Sequence, residues 1–301
     1  MVQQSSTPTS FVVSTVPLLV PPAESNKSHG SDHPQKTSTL HDGTSNVADL
    51  AISQLDNATI LLNRAGHGIL GTDTPILSVI IPAFNEIRTI EQVMCSVDSL
   101  NVHKQIILVD DGSTDGTREK IQAWSGRQGI EICLHSQNQG KGAAIQSGIR
   151  LAKGSVVIVQ DADLEYNPQD ILKVIQPILD GETDVVYGSR YLGNSHQDQS
   201  LVHRFGNSVL TGFSNWMTNQ SLTDMETCYK AFRRELLLNI QIEQKRFGFE
   251  PEITAKLANR RIVIREVPIS YKSRSWKEGK KIGVRDLVST LWCIIKYRFV
   301  G

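Results

Sequence analysis

Two aspartates two positions apart, Asp161 and Asp163, directly follow the apolar run Val156–Val159. Carboxylates at i and i+2 of an extended chain point the same way. Such hard oxygen donors suit one Mg²⁺ or Mn²⁺ whose shell is completed by phosphate oxygens. Without a cation the two charges repel. A turn or a helix cap would use the same residues, so the pair alone does not decide. A second acidic pair, Asp110-Asp111, ends another apolar run and precedes Gly112-Ser113-Thr114-Asp115. Ser113 or Asp115 can cap a following helix. Capping does not need two consecutive aspartates, and the spare carboxylate can accept hydrogen bonds from a nucleoside base or ribose. Asn85-Glu86 follow a third run. Gly140-Lys141-Gly142 reads either as a tight helix entry or as a loop bringing Lys141 to a phosphate. It is not a Walker loop, since position 135 is His and no Ser or Thr follows Lys141.

The elements that must position these groups alternate in type. Strand-length apolar runs are Leu77–Ile81, Gln105–Val109, Glu131–Leu134, Val156–Val159 and Asp184–Tyr187. Amphipathic segments of helical length lie between them: Thr89–Ser99, Asp115–Trp124, Gly142–Ala152 and Gln169–Leu179. Continuous Val/Ile runs are strands buried on both faces, and their alternation with helices implies a doubly wound, mostly parallel α/β sheet. Ligands of such sheets sit at the carboxyl ends of the strands, where all three acidic clusters fall. The pattern places one α/β domain over residues 73–275, preceded by a Ser/Thr/Pro-rich, disordered or weakly structured extension over 1–72. Within that extension Val47–Leu62 has the spacing of an amphipathic helix. Residues 276–301 form a basic loop and a C-terminal amphipathic helix. Val284, Leu287, Val288, Leu291, Trp292, Ile295 and Phe299 make its apolar stripe.

Composition narrows the function. The net charge is zero, but from Arg260 to Gly301 eleven Lys and Arg face three Asp and Glu. That surplus suits an anionic neighbour such as a phosphate or a membrane surface, or a solvated basic face. No nucleic-acid-binding module is recognisable, so no nucleic-acid partner is expected. The four cysteines are far apart, without a CxxC pair, which fits a reducing compartment rather than a disulfide or zinc framework. No run of about 18 apolar residues predicts a spanning helix, and Phe11–Val20 lacks the basic flank of a secretory signal. No GxGxxG follows a strand, which removes the dinucleotide-binding dehydrogenases.

In order, the motifs are Ser78-Val79-Ile80-Ile81-Pro82-Ala83-Phe84-Asn85-Glu86, Val109-Asp110-Asp111-Gly112-Ser113, Asn138-Gln139-Gly140-Lys141-Gly142 and Gln160-Asp161-Ala162-Asp163-Leu164-Glu165. As an ordered set they resemble the family 2 glycosyltransferases, over residues 76 to 298. Tyr187-Gly188-Ser189-Arg190, Thr223-Asp224-Met225-Glu226-Thr227-Cys228-Tyr229-Lys230 and Glu266-Val267-Pro268-Ile269 resemble the polyprenyl-phosphate group, which includes dolichol-phosphate mannose synthases.

The resemblance implies a GT-A type fold and a metal-dependent, inverting hexosyltransferase using Mg²⁺ or Mn²⁺. The donor would be a nucleoside-diphosphate sugar, GDP-mannose first and UDP-glucose second. The acceptor would be a polyprenyl or dolichyl phosphate, or alternatively a saccharide or protein. Pro82, Ala83, Asn85, Glu86 and Asp111 would hold the nucleoside, with Asp110 nearby; Lys141, Asp161 and Ala162 complete the donor site. Asp161 and Asp163 would hold metal and diphosphate; Glu165 stands where a further ligand can occur, its role open. Arg190, Arg274, Lys280 and Lys281 match positions around donor and acceptor phosphates, and Asp163, Arg190 and Asp224 are the catalytic candidates. A phosphomonoester, with a second pKa of about 6, is mostly dianionic at neutral pH, so no strict general base is expected. Asp224 is the suspect if one exists; otherwise it starts a helix or pairs with an arginine. A hydroxyl acceptor would need the base. A non-catalytic membrane-associated protein is disfavoured by the intact aspartates. The expected location is cytoplasmic, peripheral at the cytoplasmic face of a membrane. There Lys277, Lys280, Lys281, Arg285, Lys296, Tyr297 and Arg298 would meet anionic headgroups and the apolar stripe would enter the interface.

Overall fold

The computed structural model describes residues 74–193, 201–274 and 284–300, without the side chains of 201–203 and 284–286. The expected N-terminal extension and its Val47–Leu62 helix lie outside the described residues, as do Lys277, Lys280 and Lys281.

Every residue of β1 (Leu77–Ala83) is buried. It pairs in parallel with β2 (Lys104–Asp110) on one side and with β4 (Val156–Val159) on the other. β3 (Ile130–Leu134) extends the sheet parallel to β2. β6 (Lys230–Arg233) lies antiparallel between β4 and β5 (Val185–Ser189), and β7 (Arg265–Pro268) closes the far edge parallel to β5. The order β3-β2-β1-β4-β6-β5-β7 makes a seven-stranded, mostly parallel sheet, as the alternating pattern implied. The chain runs outward from β1 through β2 to β3, then returns to β4 on the other side of β1. This reversal is the topological switch point, where the flanking loops diverge and leave a crevice.

Helices cover the sheet through the apolar faces that the sequence advertised. In α1 (Ile90–Asp98), Ile90, Val93, Met94 and Val97 are buried at i, i+3, i+4 and i+7. The short α2 (Thr117–Gln122), α3 (Lys141–Leu151) and α4 (Asp170–Leu179) complete the expected set. Three further helices follow that the pattern did not mark: α5 (Leu201–Thr218), α6 (Arg234–Leu238) and α7 (Phe249–Asn259). The C-terminal α8 (Val284–Val300) forms as expected and packs against α5 and α7.

The face that α8 buries is not the apolar stripe. Thr290, Cys293, Ile294 and Tyr297 are buried, whereas Val288, Trp292, Ile295 and Phe299 are exposed, Trp292 by 63% and Phe299 by 75%. Expected at headgroup depth, Tyr297 shares the inward face with Cys293 and Ile294, three and four positions before it. Arg298 also turns inward, its Nε donating to Met217 O at 2.6 Å and its Nη1 to Asn259 Oδ1 at 2.7 Å. Lys296 pairs with Glu243 at 3.0 Å. The end of α8 is therefore fastened to the domain by its polar residues.

Candidate active site

At the switch point lies a cavity of about 980 Å³, a volume that admits a ligand of nucleotide-sugar size. Pro82, Ala83, Asn85, Glu86, Asp111, Lys141, Asp161, Ala162, Asp163, Glu165, Arg190 and Arg274 all line it. They come from the ends of five elements, assembled by the strand register: Ala83 pairs with Asp110, and Ile80 with Val159.

At the β1–β2 end the loops are stitched together by their own polar groups. Asn85, in the left-handed region at φ 56°, donates its N–H to Ser113 Oγ at 3.0 Å and accepts from Thr114 N at 2.9 Å. Glu86 N donates to Thr117 Oγ1, and Ile87 N to Asp115 Oδ2. The two adjacent aspartates divide the work. Asp110 is fully buried, does not line the cavity, and accepts from Arg118 Nε at 2.7 Å and Ser113 N at 3.2 Å. It fixes the loop from behind, rather than lying beside a nucleoside. Asp111 faces the cavity and accepts from Gln139 N, Gly140 N and His135 Nδ1 at 2.7–2.9 Å.

The glycines of Gly140-Lys141-Gly142 are explained by packing. A Cβ on Gly140 would lie 2.3 Å from Lys245 O, and one on Gly142 2.2 Å from Gln244 O, both impossible. The segment 244–246 runs across the start of α3, where Arg246 O and Lys245 O accept from Gly142 N and Ala143 N. Those N–H groups are thereby withdrawn from phosphate binding. Lys141 itself reaches into the cavity, 2.9 Å from Asp161 and 3.2 Å from Glu250. Burial opposes its charge, but the carboxylates of Asp161 and Glu250 raise its pKa and keep the ammonium protonated.

Asp163 lies beyond Asp161. Burial, the neighbouring Asp161 charge and Glu165 push its carboxyl up to about 7, against the pull of Arg274. Arg274 draws three acids together: Glu86 at 3.0 Å, Asp163 at 2.8 Å and Glu165 at 4.0 Å. Glu165 also accepts from Tyr271 Oη at 2.6 Å and Arg274 N at 2.9 Å. It ties down the strap 271–274, which the bridge between Tyr166 and Tyr271 lays across the cavity. Among the described residues no cluster of three or more His, Cys, Asp or Glu side chains forms a complete protein cage for a metal. Two carboxylates two positions apart, burial and the charge of one holding the other up near 7 even beside Arg274, are oxygen donors that suit a divalent cation whose shell a diphosphate would complete. The residues present fit Mg²⁺ or Mn²⁺ of that kind.

Arg190 lines the cavity, but Asp224 does not. Asp224 is fully buried and holds Arg190 as a fork: Nε to Oδ2 at 2.6 Å, Nη2 to Oδ1 at 2.7 Å, and the Arg190 N–H to Oδ2 at 3.0 Å. Engaged this way, Asp224 orients a guanidinium toward the cavity; the arginine partnership foreseen in the sequence is the geometry found. Residues outside the set of site candidates also reach the wall: Asn207 and Leu210 of α5, Glu226 and Cys228 of the 223–230 motif, Glu250 and Tyr271. No local signal marks Asn207, Leu210, Glu250 and Tyr271, since they come from segments without helical or strand periodicity clear enough to place.

The profile described as "Glycosyl transferase family 2" matches residues 78–240, and the chain belongs to that family. It is a glycosyltransferase with the GT-A nucleotide-sugar transferase fold. An uncharacterised protein of Methanocaldococcus jannaschii is 31% identical over 68% of this chain and 85% of its own length. The undecaprenyl-phosphate 4-deoxy-4-formamido-L-arabinose transferase of Aeromonas hydrophila is 29% identical over 74% of this chain and 68% of its own. The dolichol-phosphate mannosyltransferase of Pyrococcus furiosus is 28% identical over 69% of this chain; the match spans 59% of that protein. Among solved structures, glucosyl-3-phosphoglycerate synthase of Mycobacterium tuberculosis with Mn²⁺, UDP and glucosyl-3-phosphoglycerate superposes at a TM-score of 0.56. It is 21% identical and covers 77% of this chain and 84% of its own, a likeness of fold.

Proposed function

We propose that the protein transfers a hexose, mannose first and glucose second, from a nucleoside-diphosphate sugar to a polyprenyl phosphate at a membrane surface. The observation that carries this reading is which elements line the cavity. One wall is the switch-point crevice with Asp111, Asp161 and Asp163. The other is made by Gly206, Asn207 and Leu210 of α5 and Leu287 and Thr290 of α8. These two helices expose Phe205, Val209 and Trp216, and Val288, Trp292, Ile295 and Phe299. Each exposed set recurs at helical spacing, and a stripe of Trp and Phe beside a polar site suits the interface of a bilayer. No described helix is long and apolar enough to cross one. An acceptor whose phosphate is anchored by a hydrocarbon tail would then meet the donor without leaving the lipid, at the cytoplasmic face in this reading. The names of two relatives, acting on undecaprenyl phosphate and as a dolichol-phosphate mannosyltransferase, support the acceptor class.

Asp161 and Asp163 would hold Mg²⁺ or Mn²⁺, whose chemistry when bound is to offset charge on the departing nucleoside diphosphate. Structures of the mycobacterial synthase contain these ions. Glu86 and Asp111 would hold the nucleoside. Arg190, held rigid by Asp224, would fix a phosphate oxygen of donor or acceptor. The acceptor phosphate dianion would attack the anomeric carbon without surrendering a proton, so no base is needed and the carbon inverts. The test is to incubate the protein and Mn²⁺ with a panel of nucleotide sugars, with and without polyprenyl phosphate, and measure released nucleoside diphosphate and lipid-linked sugar. Release that does not depend on polyprenyl phosphate, or that requires a saccharide instead, would discard the acceptor.

A further inference from the structure

Among the described residues, two buried side-chain oxygens on the cavity wall have no hydrogen-bond partner: Asn207 Oδ1 and Glu226 Oε1. Asn207 is only 8% exposed. Buried oxygens of this kind are ordinarily satisfied, and an orphan on the wall of a ligand site marks a place where the ligand supplies the partner. The fold brings their two segments together. Asn207 and Thr211 sit one turn apart on the same face of α5. Thr211 Oγ1 accepts from Met225 N at 3.1 Å, which brings Glu226, the next residue, against that face.

Their position relative to the acidic pair follows from a chain of contacts. Asp161 is 2.9 Å from Lys141, Lys141 is 3.2 Å from Glu250, and Glu250 is the charge that acts most strongly on Glu226. Cys228, two residues on from Glu226, lines the same cavity, its Sγ 3.8 Å from Val159 O at the end of β4. Glu226 and Asn207 line the same cavity as Asp161 and Asp163. Burial, then Glu250 and Asp224, raise the Glu226 carboxyl to about 7, against Lys230 and Arg190. At neutral pH it exists partly as the neutral acid, which donates as well as accepts. An amide and a neutral carboxyl together match adjacent hydroxyls, each of which also donates and accepts.

We propose that Asn207 and Glu226 form the sugar-reading pair of the donor site, each hydrogen-bonding a hydroxyl of the transferred hexose. This rests on the nucleotide-sugar reading above and extends it by assigning the residues that tell one sugar from another. A site built to hydrogen-bond a hydroxyl rejects an analogue that lacks it, because its own buried group is left unpaired.

The test is calorimetric, with Mn²⁺ present, on the full chain. Dissociation constants are measured for UDP, UDP-glucose, GDP and GDP-mannose with wild type, Glu226→Gln, Glu226→Leu and Asn207→Leu. The decisive quantity is the Kd of the sugar nucleotide divided by that of the matching bare diphosphate. Losing one hydrogen bond in a desolvated site should raise this ratio roughly 10- to 100-fold in either leucine variant. Glu226→Gln, which keeps a donor and an acceptor, should stay within about threefold. An unchanged ratio in both leucine variants, or an equal loss for bare and sugar nucleotides, overturns the proposal. Should a leucine variant not fold, deoxy forms of the preferred sugar nucleotide are titrated into wild type. At least two sugar positions should each lose tenfold or more on removal of the hydroxyl (one hydrogen bond apiece); if none does, the pair reads nothing. Failure of wild type to bind any of the four nucleotides would reject the donor class itself, a different outcome from an unchanged ratio.

Discussion

Replacing Asp163 by Asn should make the metal-free protein more stable and, at the same time, inactive. In the absence of a cation the Asp163 carboxyl is raised from its ordinary 3.8 to about 7 by burial, Asp161 and Glu165. Between those pH values the native state binds a proton that the unfolded chain has released. Stability therefore falls as pH rises across this window and stays low above it. About three decades of proton affinity at about 1.4 kcal/mol each set an upper limit of about 4 kcal/mol. The Asp163 side chain is 16% exposed and pairs with Arg274 at 2.8 Å, so water and relaxation take part of this and about 1–3 kcal/mol is expected. Asn cannot ionise and removes the penalty. Urea unfolding of the EDTA-treated protein at pH 5 and pH 8 is the assay. About two of the three decades lie between these pH values, so the wild type should lose about 0.5–2 kcal/mol more than Asp163→Asn between them. Saturating Mn²⁺ and nucleoside diphosphate should narrow the difference by favouring the ionised carboxylate. Equal pH slopes for the two proteins would refute the reasoning, because Asp163 would then not be held near neutrality by its neighbours.

Four further outcomes are expected from the structure. Asp161→Asn should lower transfer at least about a hundredfold with the fold intact, since it would weaken the hold on the cation that offsets charge on the leaving diphosphate; full activity of this variant, or of wild type in EDTA, would remove the metal from the mechanism. Asp224→Ala strands a buried guanidinium and should cost about 3–5 kcal/mol in unfolding free energy, whereas an unchanged melting temperature would show that Arg190 finds another partner. The product should carry inverted configuration at the anomeric carbon, read from its proton coupling constant, and retention would exclude single displacement. Full-length protein should float with anionic liposomes at low salt and sink at high salt. Trp216→Glu with Trp292→Glu should abolish flotation even though both indoles lie outside the cavity wall; persistent flotation would place the membrane contact elsewhere.

Local sequence determined much of this protein. Continuous Val/Ile runs such as Val156–Val159 can only be strands buried on both faces, and they come out within a few residues of their expected bounds. Acidic residues that directly follow such runs must lie at one end of a parallel sheet, so Asp111, Asp161 and Asp163 share a cavity. The tertiary structure decided what periodicity cannot carry. β6 and β7 are four residues each and include charged side chains; Lys230 is buried there because Met225 O and Thr227 O accept its protons. α5 contains Gly206 and Gly212 with several Ser, Thr and Asn, residues that favour helix little on their own. It is held by packing against α7 and α8. The division of labour between Asp110 and Asp111 is invisible in the sequence, because consecutive residues at a strand end point to opposite sides, and only Arg118 and the 138–140 loop show which faces the cavity. The same holds for α8: its apolar stripe is legible, but which face meets the domain depends on the partners that α5 and α7 present, and these buried Cys293, Ile294 and Tyr297 and left Trp292 outside.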